Sequence, residues 1–289
     1  MSLPVTTPPA GPPSAPAGLA LSPSRAADFK QCPLKYRFRA VDRLPEAPSR
    51  QAVRGTVVHA VLERLFELPA AQRVPDAVGA LLPAAWERVR TERPEAGALI
   101  SDADFPAFAE EVAALLAGYY RLEDPTAFDP ESCELRLEAE SADGVPLRGF
   151  VDRIDAGPDG ALRVVDYKTG KAPGVTQETR ALFQLKFYAL MMFRTRGIVP
   201  AELRLIYLAD EQVLTYTPDA AELERFERTL AALWRAVAEA VRTGDFRPST
   251  GWLCAYCDFK PLCPAYGGTP PPYPGLHRAD AMSDLDIKD

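Results

Sequence analysis

The sequence predicts an α/β protein in which a small mixed β-sheet is flanked by helices. Residues 54–122 place apolar side chains at helical spacing, and residues 133–168 change to the alternation that is typical of strands. Helix and strand patterns then follow one another as far as residue 243. This order of helices, three strands, a helix, two strands and a last helix favours one domain with a cysteine-rich segment appended to it.

The two ends of the chain differ in composition from the part between them. Residues 1–20 are rich in Pro and Ala, and residues 267–289 are rich in Pro and then acidic, so both are predicted to be disordered. The predicted domain therefore spans residues 21–266. We expect a cytoplasmic protein, because the sequence shows neither a membrane-spanning apolar run nor a secretory signal. The net charge of −7 argues against a protein that coats nucleic acid through its overall field.

A short helix is predicted near the start of the domain. Ser22 or Ser24 would cap it, because a side-chain hydroxyl before the first turn can accept a hydrogen bond from a free backbone N–H. The helix includes Cys32 and is interrupted near Pro33, since proline cannot donate the backbone hydrogen bond that a helix interior requires.

Longer helices are predicted to follow. Residues 54–68 form a helix whose buried stripe consists of Val58, Leu62, Leu65 and Phe66. A helical insertion over about residues 70–125 then contains two helices rich in Ala and Leu, at residues 76–93 and 105–122. The chain is thus predicted to be helical up to the first strand.

Turn signals separate the predicted strands. Asp143-Gly144 lies between the first two strands, and Gly157-Pro158-Asp159-Gly160 lies between the second and the third. The three strands are predicted at residues 133–140, 146–155 and 161–168. The later elements are a helix at residues 178–196, strands at 203–208 and 213–217, and a helix at 219–243.

Two neighbouring strands carry a candidate catalytic site in the segments GFVDRID and LRVVDYKTG. Alternation places Asp166 and Lys168 on one face of the later strand, and Asp152 on the earlier strand can reach the same point. Two carboxylates at one point repel each other unless a cation neutralises them, which predicts Mg²⁺ or Mn²⁺. Lys168 would position the attacking water or stabilise charge on a phosphate, as in metal-assisted phosphodiester hydrolysis. The alternative is an exposed ion pair at a strand end.

Two helices offer further polar residues for this site. His59 is a candidate third ligand, because a neutral imidazole binds metal ions. Glu63 lies one turn later on the same face and is predicted to orient the imidazole. Gln184 and Tyr188 form a polar stripe, one turn apart, on an otherwise apolar helix. The alternatives are a structural histidine at a helix edge and ordinary amphipathicity.

Three of the five cysteines are crowded into the segment LCAYCDFKPLCPAY. Cys254, Cys257 and Cys263 offer three thiolates, and Cys32 is the natural fourth. Cys133 lies in a strand-like segment and is predicted to be a small core residue. Zn²⁺ and a [4Fe–4S] cluster both accept four thiolates. Either would act as a staple that ties the two ends of the domain together and restricts the unfolded chain.

Four segments occur in the order of a known motif set: RGTVVHAVLERL, GFVDRID, VVDYKTG and QLKFYA. In these motifs the chain resembles the RecB-like branch of the PD-(D/E)XK nuclease superfamily, over about residues 22–266. That branch is related to AddB nuclease domains and to CRISPR-associated adaptation nucleases. The resemblance implies a restriction-endonuclease-like core and a metal-dependent DNA nuclease.

The resemblance also implies roles for individual residues. Four groups would hold the Mg²⁺ or Mn²⁺ ion: His59, Asp152, Asp166 and the backbone carbonyl of Tyr167. Lys168 would be the catalytic lysine, and Gln184 and Tyr188 would match a QxxxY motif near the nucleic-acid strand. One distant cysteine followed by CxxCx5C matches the iron–sulfur members, which favours a [4Fe–4S] cluster over Zn²⁺.

The expected substrate is DNA with single-stranded ends, cleaved as an exonuclease in repair or recombination. The chain has no Walker A run GxxxxGK[ST], so any unwinding would come from a helicase partner. Two other classes of function stay open at this point. One is a catalytically inactive DNA-binding or scaffolding module of the same fold, and the other is an iron–sulfur regulatory protein whose acidic cluster is incidental.

Overall fold

A five-stranded mixed sheet forms the centre of the architecture. The computed structural model describes residues 19–172, 174 and 178–275. The strands are β1 (Ser132–Glu140), β2 (Pro146–Ala156), β3 (Leu162–Lys168), β4 (Glu202–Tyr207) and β5 (Gln212–Tyr216), and they lie in this order across the sheet. β2 pairs antiparallel with β3, β3 parallel with β4, and β4 antiparallel with β5. The predicted α/β fold with a small mixed sheet is confirmed.

Helices precede, interrupt and follow the sheet. They are α1 (Pro23–Gln31), α2 (Pro33–Tyr36), α3 (Arg50–Glu67), α4 (Ala77–Glu92), α5 (Pro94–Leu99), α6 (Phe105–Leu122), α7 (Glu178–Arg196) and α8 (Ala220–Thr243). The helix predicted from residue 54 begins four residues earlier, where the Ser49 side chain accepts a hydrogen bond from the Ala52 N–H. None of the helices in the described ranges is long and apolar enough to cross a membrane.

The start of the fold follows the predicted capping and breaking signals. The Ser22 side chain accepts a hydrogen bond from the backbone N–H of Arg25 at 3.2 Å, and so caps α1. Cys32 then adopts an extended conformation, with φ −161° and ψ 110°, between α1 and Pro33. This is the conformation that a following proline favours. Cys32 therefore lies at a break between two helices.

The side chains of β3 lie on two faces of the sheet, one in the helical core and one beside α7. A parallel strand pair requires a long crossover, and α7 is that crossover between β3 and β4. Val165 and Tyr167 of β3 belong to one core with side chains of α3, α4 and α6. Because side chains alternate along a strand, Asp166 and Lys168 point to the opposite face. Gln184 of α7 contacts both of them.

The described chain forms two compact units. The first comprises Glu46–Leu137 and Gly149–Leu223, and the second comprises Met1–Pro45, Glu138–Arg148 and Glu224–Asp289 as far as these are described. In the second unit, the backbone of Leu21 accepts a hydrogen bond from Arg148 N–H and donates one to Pro146 O. The N-terminal residues thus pair with the tip of the β1–β2 hairpin.

The C-terminal segment is ordered further than its composition predicts. The hydroxyl of Tyr273 donates to the carbonyl of Val241, and its ring packs on Phe246 at a centroid distance of 5.7 Å. Arg37 donates to the carbonyl of Pro271. Residues 267–275, which the composition predicts to belong to a disordered tail, therefore make side-chain contacts with the rest of the second unit. Residues 1–18 and 276–289, also predicted to be disordered, lie outside the described residues.

Candidate functional site

Neighbouring positions on the paired strands β2 and β3 bring the two predicted carboxylates together in the first unit. Asp152 and Asp166 are 8% and 3% exposed. The backbone N–H of Tyr167 donates to Oδ2 of Asp152 at 2.6 Å, which fixes one carboxylate against the neighbouring strand. Two largely buried acids that repel each other are costly unless positive charge compensates them. The site therefore needs cations, and the next contacts supply them.

His59 of α3 lies against Asp152. Its Nδ1 is 3.3 Å from Oδ1 of Asp152 and 3.6 Å from Oε1 of Glu134. Its Nε2 is 3.1 Å from the carbonyl oxygen of Tyr167. With an Nε2–H donating to that carbonyl, Nδ1 faces the two carboxylates. Ligand atoms of His59, Glu134 and Asp152 lie within 4.8 Å of one another, and theirs is the one such group found in the described ranges.

Glu134 is a site residue that the sequence analysis missed. The segment SCELRLEAE alternates charged and apolar residues, so its glutamates would be expected on a solvent face. The backbone of Glu134 has a φ of 49°, a left-handed conformation that is uncommon for a residue other than glycine. This local departure from the strand conformation breaks the alternation and is consistent with a functional position. The weak signal in the sequence was a carboxylate next to Cys133, which is itself predicted to be a core residue.

Glu63 does not take the place we predicted for it. Its carboxylate forms an ion pair with Arg88 of α4, while the Nδ1 of His59 contacts Asp152 and Glu134. The prediction considered one helix alone, where residues four apart lie on the same face. Arg88 comes from a neighbouring helix and provides a stronger partner, because a guanidinium pairs with a carboxylate through charged hydrogen bonds.

Asp166, Lys168 and Gln184 form a connected group on the other side of the site. Nζ of Lys168 lies 2.7 Å from Oδ2 of Asp166 and donates to Oε1 of Gln184 at 2.8 Å. Nε2 of Gln184 donates to Oδ1 of Asp166 at 2.9 Å and to the hydroxyl of Tyr188 at 3.0 Å. Gln184 thus contacts both charged groups and the tyrosine. A side chain at Gly149 would lie 3.0 Å from the Tyr188 ring, so the glycine leaves room for it.

The protonation of the site reflects burial and crowded charge. Burial disfavours the imidazolium of His59, but Asp152 and Glu134 outweigh it and raise its pKa to about 10. Burial raises the pKa of Asp166 to about 6, although Lys168 opposes the shift. The pKa of Asp152 is lowered: burial acts in the other direction, but His59 and Lys168 favour the carboxylate. Asp152 and Asp166 thus compete for the positive charges of His59 and Lys168, as expected of a site that accepts a further cation.

A fully buried arginine supports the site from the opposite face of the sheet. Arg153 is 0% exposed and forms ion pairs with Glu123 and Asp155. It also donates to the hydroxyl of Tyr167. The backbone of Tyr167 contacts Asp152 through its N–H and His59 through its carbonyl. Arg153 therefore fixes the residue whose backbone orients two site side chains.

The four predicted ligand cysteines lie around one cavity of about 190 Å³ in the second unit: Cys32, Cys254, Cys257 and Cys263. The backbone N–H groups of Ser249 and Gly251 point at the sulfurs of Cys32 and Cys254, each at 3.4 Å. The Gly251 N–H lowers the pKa of the Cys254 thiol. That contact favours the thiolate of Cys254, whereas burial raises the pKa of the Cys257 thiol. Cys133 lies on β1 and does not line the cavity.

Residues 20–264 match the sequence profile of the PD-(D/E)XK nuclease superfamily. The chain belongs to this superfamily. Membership of a nuclease superfamily agrees with the presence of two acids and a lysine on neighbouring strands.

Relatives and solved structures add to this assignment. The chain is 31% identical over 127 residues to the Gene 69 protein of Mycobacterium phage L5, a match that covers 43% of this chain and 41% of that protein. It is 25% identical over 267 residues to the Gene 69 protein of Mycobacterium phage D29, covering 85% and 96% of the two chains. A crystal structure of a candidate exonuclease from Eubacterium rectale superposes with a TM-score of 0.57 at 14% identity, covering 82% of this chain and 86% of that one. This last likeness shows the fold alone.

Proposed function

We propose that this superfamily member is a metal-dependent DNA nuclease of the RecB-like branch, acting on single-stranded ends. The observation that carries the proposal is the pairing of His59 with Asp152 and of Lys168 with Asp166 on the neighbouring strands β2 and β3, close enough for Asp152 to raise the pKa of Asp166. A buried, acid-rich site with a lysine is suited to phosphodiester hydrolysis. The candidate exonuclease with a similar fold supports the choice of an exonuclease.

The donor set suits Mg²⁺ or Mn²⁺. His59 and Asp152 form one potential ligand group with Glu134, which the sequence did not predict. Asp166 and the carbonyl of Tyr167 would complete the set of ligands. Oxygen donors with one imidazole match these cations better than the thiolate sites that select zinc. When bound, such an ion supplies charge that polarises a phosphate and lowers the pKa of a water molecule.

The protein groups around the ion would stabilise charge on the scissile phosphate and keep the catalytic side chains in position. Lys168 places an ammonium group 2.7 Å from Asp166, where it can stabilise negative charge on a scissile phosphate. Gln184 bridges the two, and Tyr188 accepts from Gln184. Gln184 and Tyr188 would thus keep the acid and the lysine in one geometry while a strand binds beside them.

The cysteine cavity supports a structural [4Fe–4S] cluster held by Cys32, Cys254, Cys257 and Cys263. All four cysteines line one cavity, and backbone N–H groups face the sulfurs of Cys32 and Cys254, as is typical of cluster sites. Zn²⁺ remains the alternative occupant.

Cleavage of end-labelled single-stranded DNA tests the proposal. With Mn²⁺ or Mg²⁺ the wild type should shorten the strand, and EDTA should stop the reaction. Asp166→Ala should reduce the rate by on the order of 100- to 1000-fold, because it removes a proposed ligand and the partner of Lys168. Asp102→Ala, which changes an aspartate whose side chain is 93% exposed, is the matched control and should cleave like the wild type.

Two outcomes would contradict the proposal. If the wild type bound the strand but cleaved it with none of the divalent metals, the chain would be a binding module of this fold. If Asp166→Ala cleaved as fast as the wild type, the chemistry would lie elsewhere. A helicase partner would be needed for duplex substrates, since the sequence carries no Walker A run.

A further inference from the structure

Two aromatic side chains in the cysteine-rich segment are unusually exposed. Trp252 is 70% exposed and Tyr256 is 80% exposed, the highest values for large hydrophobic side chains among the described residues. Their rings lie 6.4 Å apart, nearly perpendicular at 79°. The other two tryptophans of the chain, Trp86 and Trp234, are buried. Trp252 and Tyr256, which we call the ring pair, therefore stand out from the rest of the surface.

The position of the ring pair argues for a ligand. An exposed tryptophan leaves a large apolar area in water, and contiguous areas of this kind commonly mark binding sites. Both residues lie on one short 3₁₀ turn, Trp252–Tyr256, and Trp252 also borders the cysteine cavity. Tyr266 adds a third ring that is 46% exposed, and the ammonium of Lys260 lies 4.8 Å from its centroid. The surface thus combines rings with a cation.

The charge of this segment indicates what kind of ligand it takes. Between residues 246 and 275 the chain has few charges of either sign: Arg247, Lys260 and Asp258. Arg247 pairs with Asp245, whereas the ammonium of Lys260 lies beside the Tyr266 ring. The whole chain has a net charge of −7, so this stretch is poor in the carboxylates that would repel a phosphate. Aromatic rings with basic groups and few carboxylates are the features that bind single-stranded nucleic acid, because the bases stack on rings and the phosphates repel acids.

We propose that the ring pair of Trp252 and Tyr256 is a stacking platform for the bases of single-stranded DNA. The inference rests on the proposed nuclease function for its choice of DNA. Every base has an aromatic face, so binding at the platform should depend little on sequence. The platform would bind unpaired strands in preference to duplex DNA, because the bases of a duplex are already stacked on one another.

Binding without cleavage tests the platform directly. The full-length protein, purified anaerobically, is titrated in EDTA with a labelled dT oligomer and with an abasic strand of equal length. Both strands carry the same phosphates, but one lacks bases. Trp252→Ala and Tyr256→Ala should each weaken binding of the dT oligomer by roughly 5- to 150-fold, the range expected for loss of one base–ring stack. Neither change should weaken binding of the abasic strand.

Controls separate the loss of a ring from damage to the fold. Trp252→Phe keeps a ring and should restore most of the affinity for the dT oligomer. Ile198→Ala removes an exposed apolar side chain, 41% exposed, outside the cysteine-rich segment and should bind both strands like the wild type. Bound iron and circular dichroism should be unchanged in all variants. Trp252 is the exposed tryptophan, so the dT oligomer should also quench protein fluorescence, and Trp252→Phe should abolish that quenching.

The outcomes distinguish this inference from the nuclease proposal. If Trp252→Ala and Tyr256→Ala bound the dT oligomer with unchanged affinity, the stacking proposal would be wrong. The exposed rings would then be assigned to binding a protein partner. Equal losses on the abasic strand would also overturn it, since stacking requires bases. Selective losses on the dT oligomer in a protein that cleaves no strand would support the platform while the nuclease proposal fails.

Discussion

At the scale of single residues, Gln184 connects the two charged groups of the site. It donates to Asp166 and accepts from Lys168, so one amide contacts both members of the DxK pair. An amide can do this because it carries a donor and an acceptor at once. A carboxylate in its place would accept from Lys168 but would repel Asp166.

Replacing Gln184 should therefore reduce the rate of cleavage more than substrate binding. Gln184→Leu should lower kcat by about 10- to 100-fold, the range for loss of a partner that orients a ligand or a catalytic group. Tyr188→Phe removes only the hydroxyl that accepts from Gln184 and should have a smaller effect. Steady-state kinetics on end-labelled DNA would measure both. An unchanged kcat in Gln184→Leu would contradict the role we assign to the amide.

The high pKa of His59 predicts how metal binding depends on pH. Its carboxylate neighbours raise the pKa from 6.5 to about 10 despite burial. In the metal-free chain the protonated imidazole stabilises the fold; this contribution is complete below pH 6.5 and lost as the pH rises through about 10. A cation at the imidazole must displace the proton, so Mn²⁺ should bind more tightly as the pH rises. Calorimetry in two buffers should show the release of about one proton; an affinity independent of pH would contradict the prediction.

At the scale of elements, the buried Arg153 connects β2 with β3 and α6. It pairs with Glu123 at the end of α6 and with Asp155 on its own strand, and it donates to Tyr167 on β3. Removing one partner of a buried ion pair leaves an uncompensated charge, which is more costly than losing an exposed pair. The network should therefore matter for stability as well as for the site.

Arg153→Met should lower the free energy of unfolding by about 3–5 kcal/mol, measured by urea denaturation. Arg121→Met is the matched control, because Arg121 pairs with Glu211 while both side chains are exposed. That variant should unfold at the same urea concentration as the wild type. Equal stability of the two variants would contradict a buried role for Arg153.

The turn after the cysteine-rich segment depends on a glycine. A Cβ at Gly268 would lie 2.2 Å from the carbonyl oxygen of Pro261, too close for any real contact. Gly268→Ala should destabilise the segment by about 1–3 kcal/mol and lower the iron bound per chain. A Cβ at Gly251 would have no atom within 4 Å, so Gly251→Ala serves as the control. Iron analysis and thermal unfolding of both variants would test the prediction. Full iron content in Gly268→Ala would contradict it.

Elements with a strong hydrophobic period could be predicted from the sequence. Residues whose backbone or packing departs from that period could not. The helix predicted at residues 178–196 matches α7 at both ends, and alternation placed Asp166 and Lys168 on one face as observed. Glu134 could not be predicted, because its left-handed backbone takes it out of the alternation. The partner of Glu63 could not be predicted either, since Arg88 comes from a helix whose packing the local sequence does not encode.

At the scale of the whole molecule, the proposed cluster would join Cys32 to the cysteines near the C-terminal end. Such a link closes a long loop, which restricts the unfolded chain more than a short loop does. Cys257→Ser should therefore lose iron and about 3–5 kcal/mol of stability together. Cys133→Ser, outside the cavity, should retain its iron. Full stability of Cys257→Ser without iron would contradict a structural role for the cluster.

The central claim is that one site binds a divalent metal and cleaves DNA, with Lys168 acting in the chemical step. Single-turnover cleavage of end-labelled single-stranded DNA, with Mn²⁺ binding measured on the same samples, tests this most directly. Lys168→Ala should bind Mn²⁺ at least as tightly as the wild type, because an ammonium near the acids is removed. It should cleave on the order of 100- to 1000-fold more slowly. Cleavage by Lys168→Ala at the wild-type rate would contradict the claim.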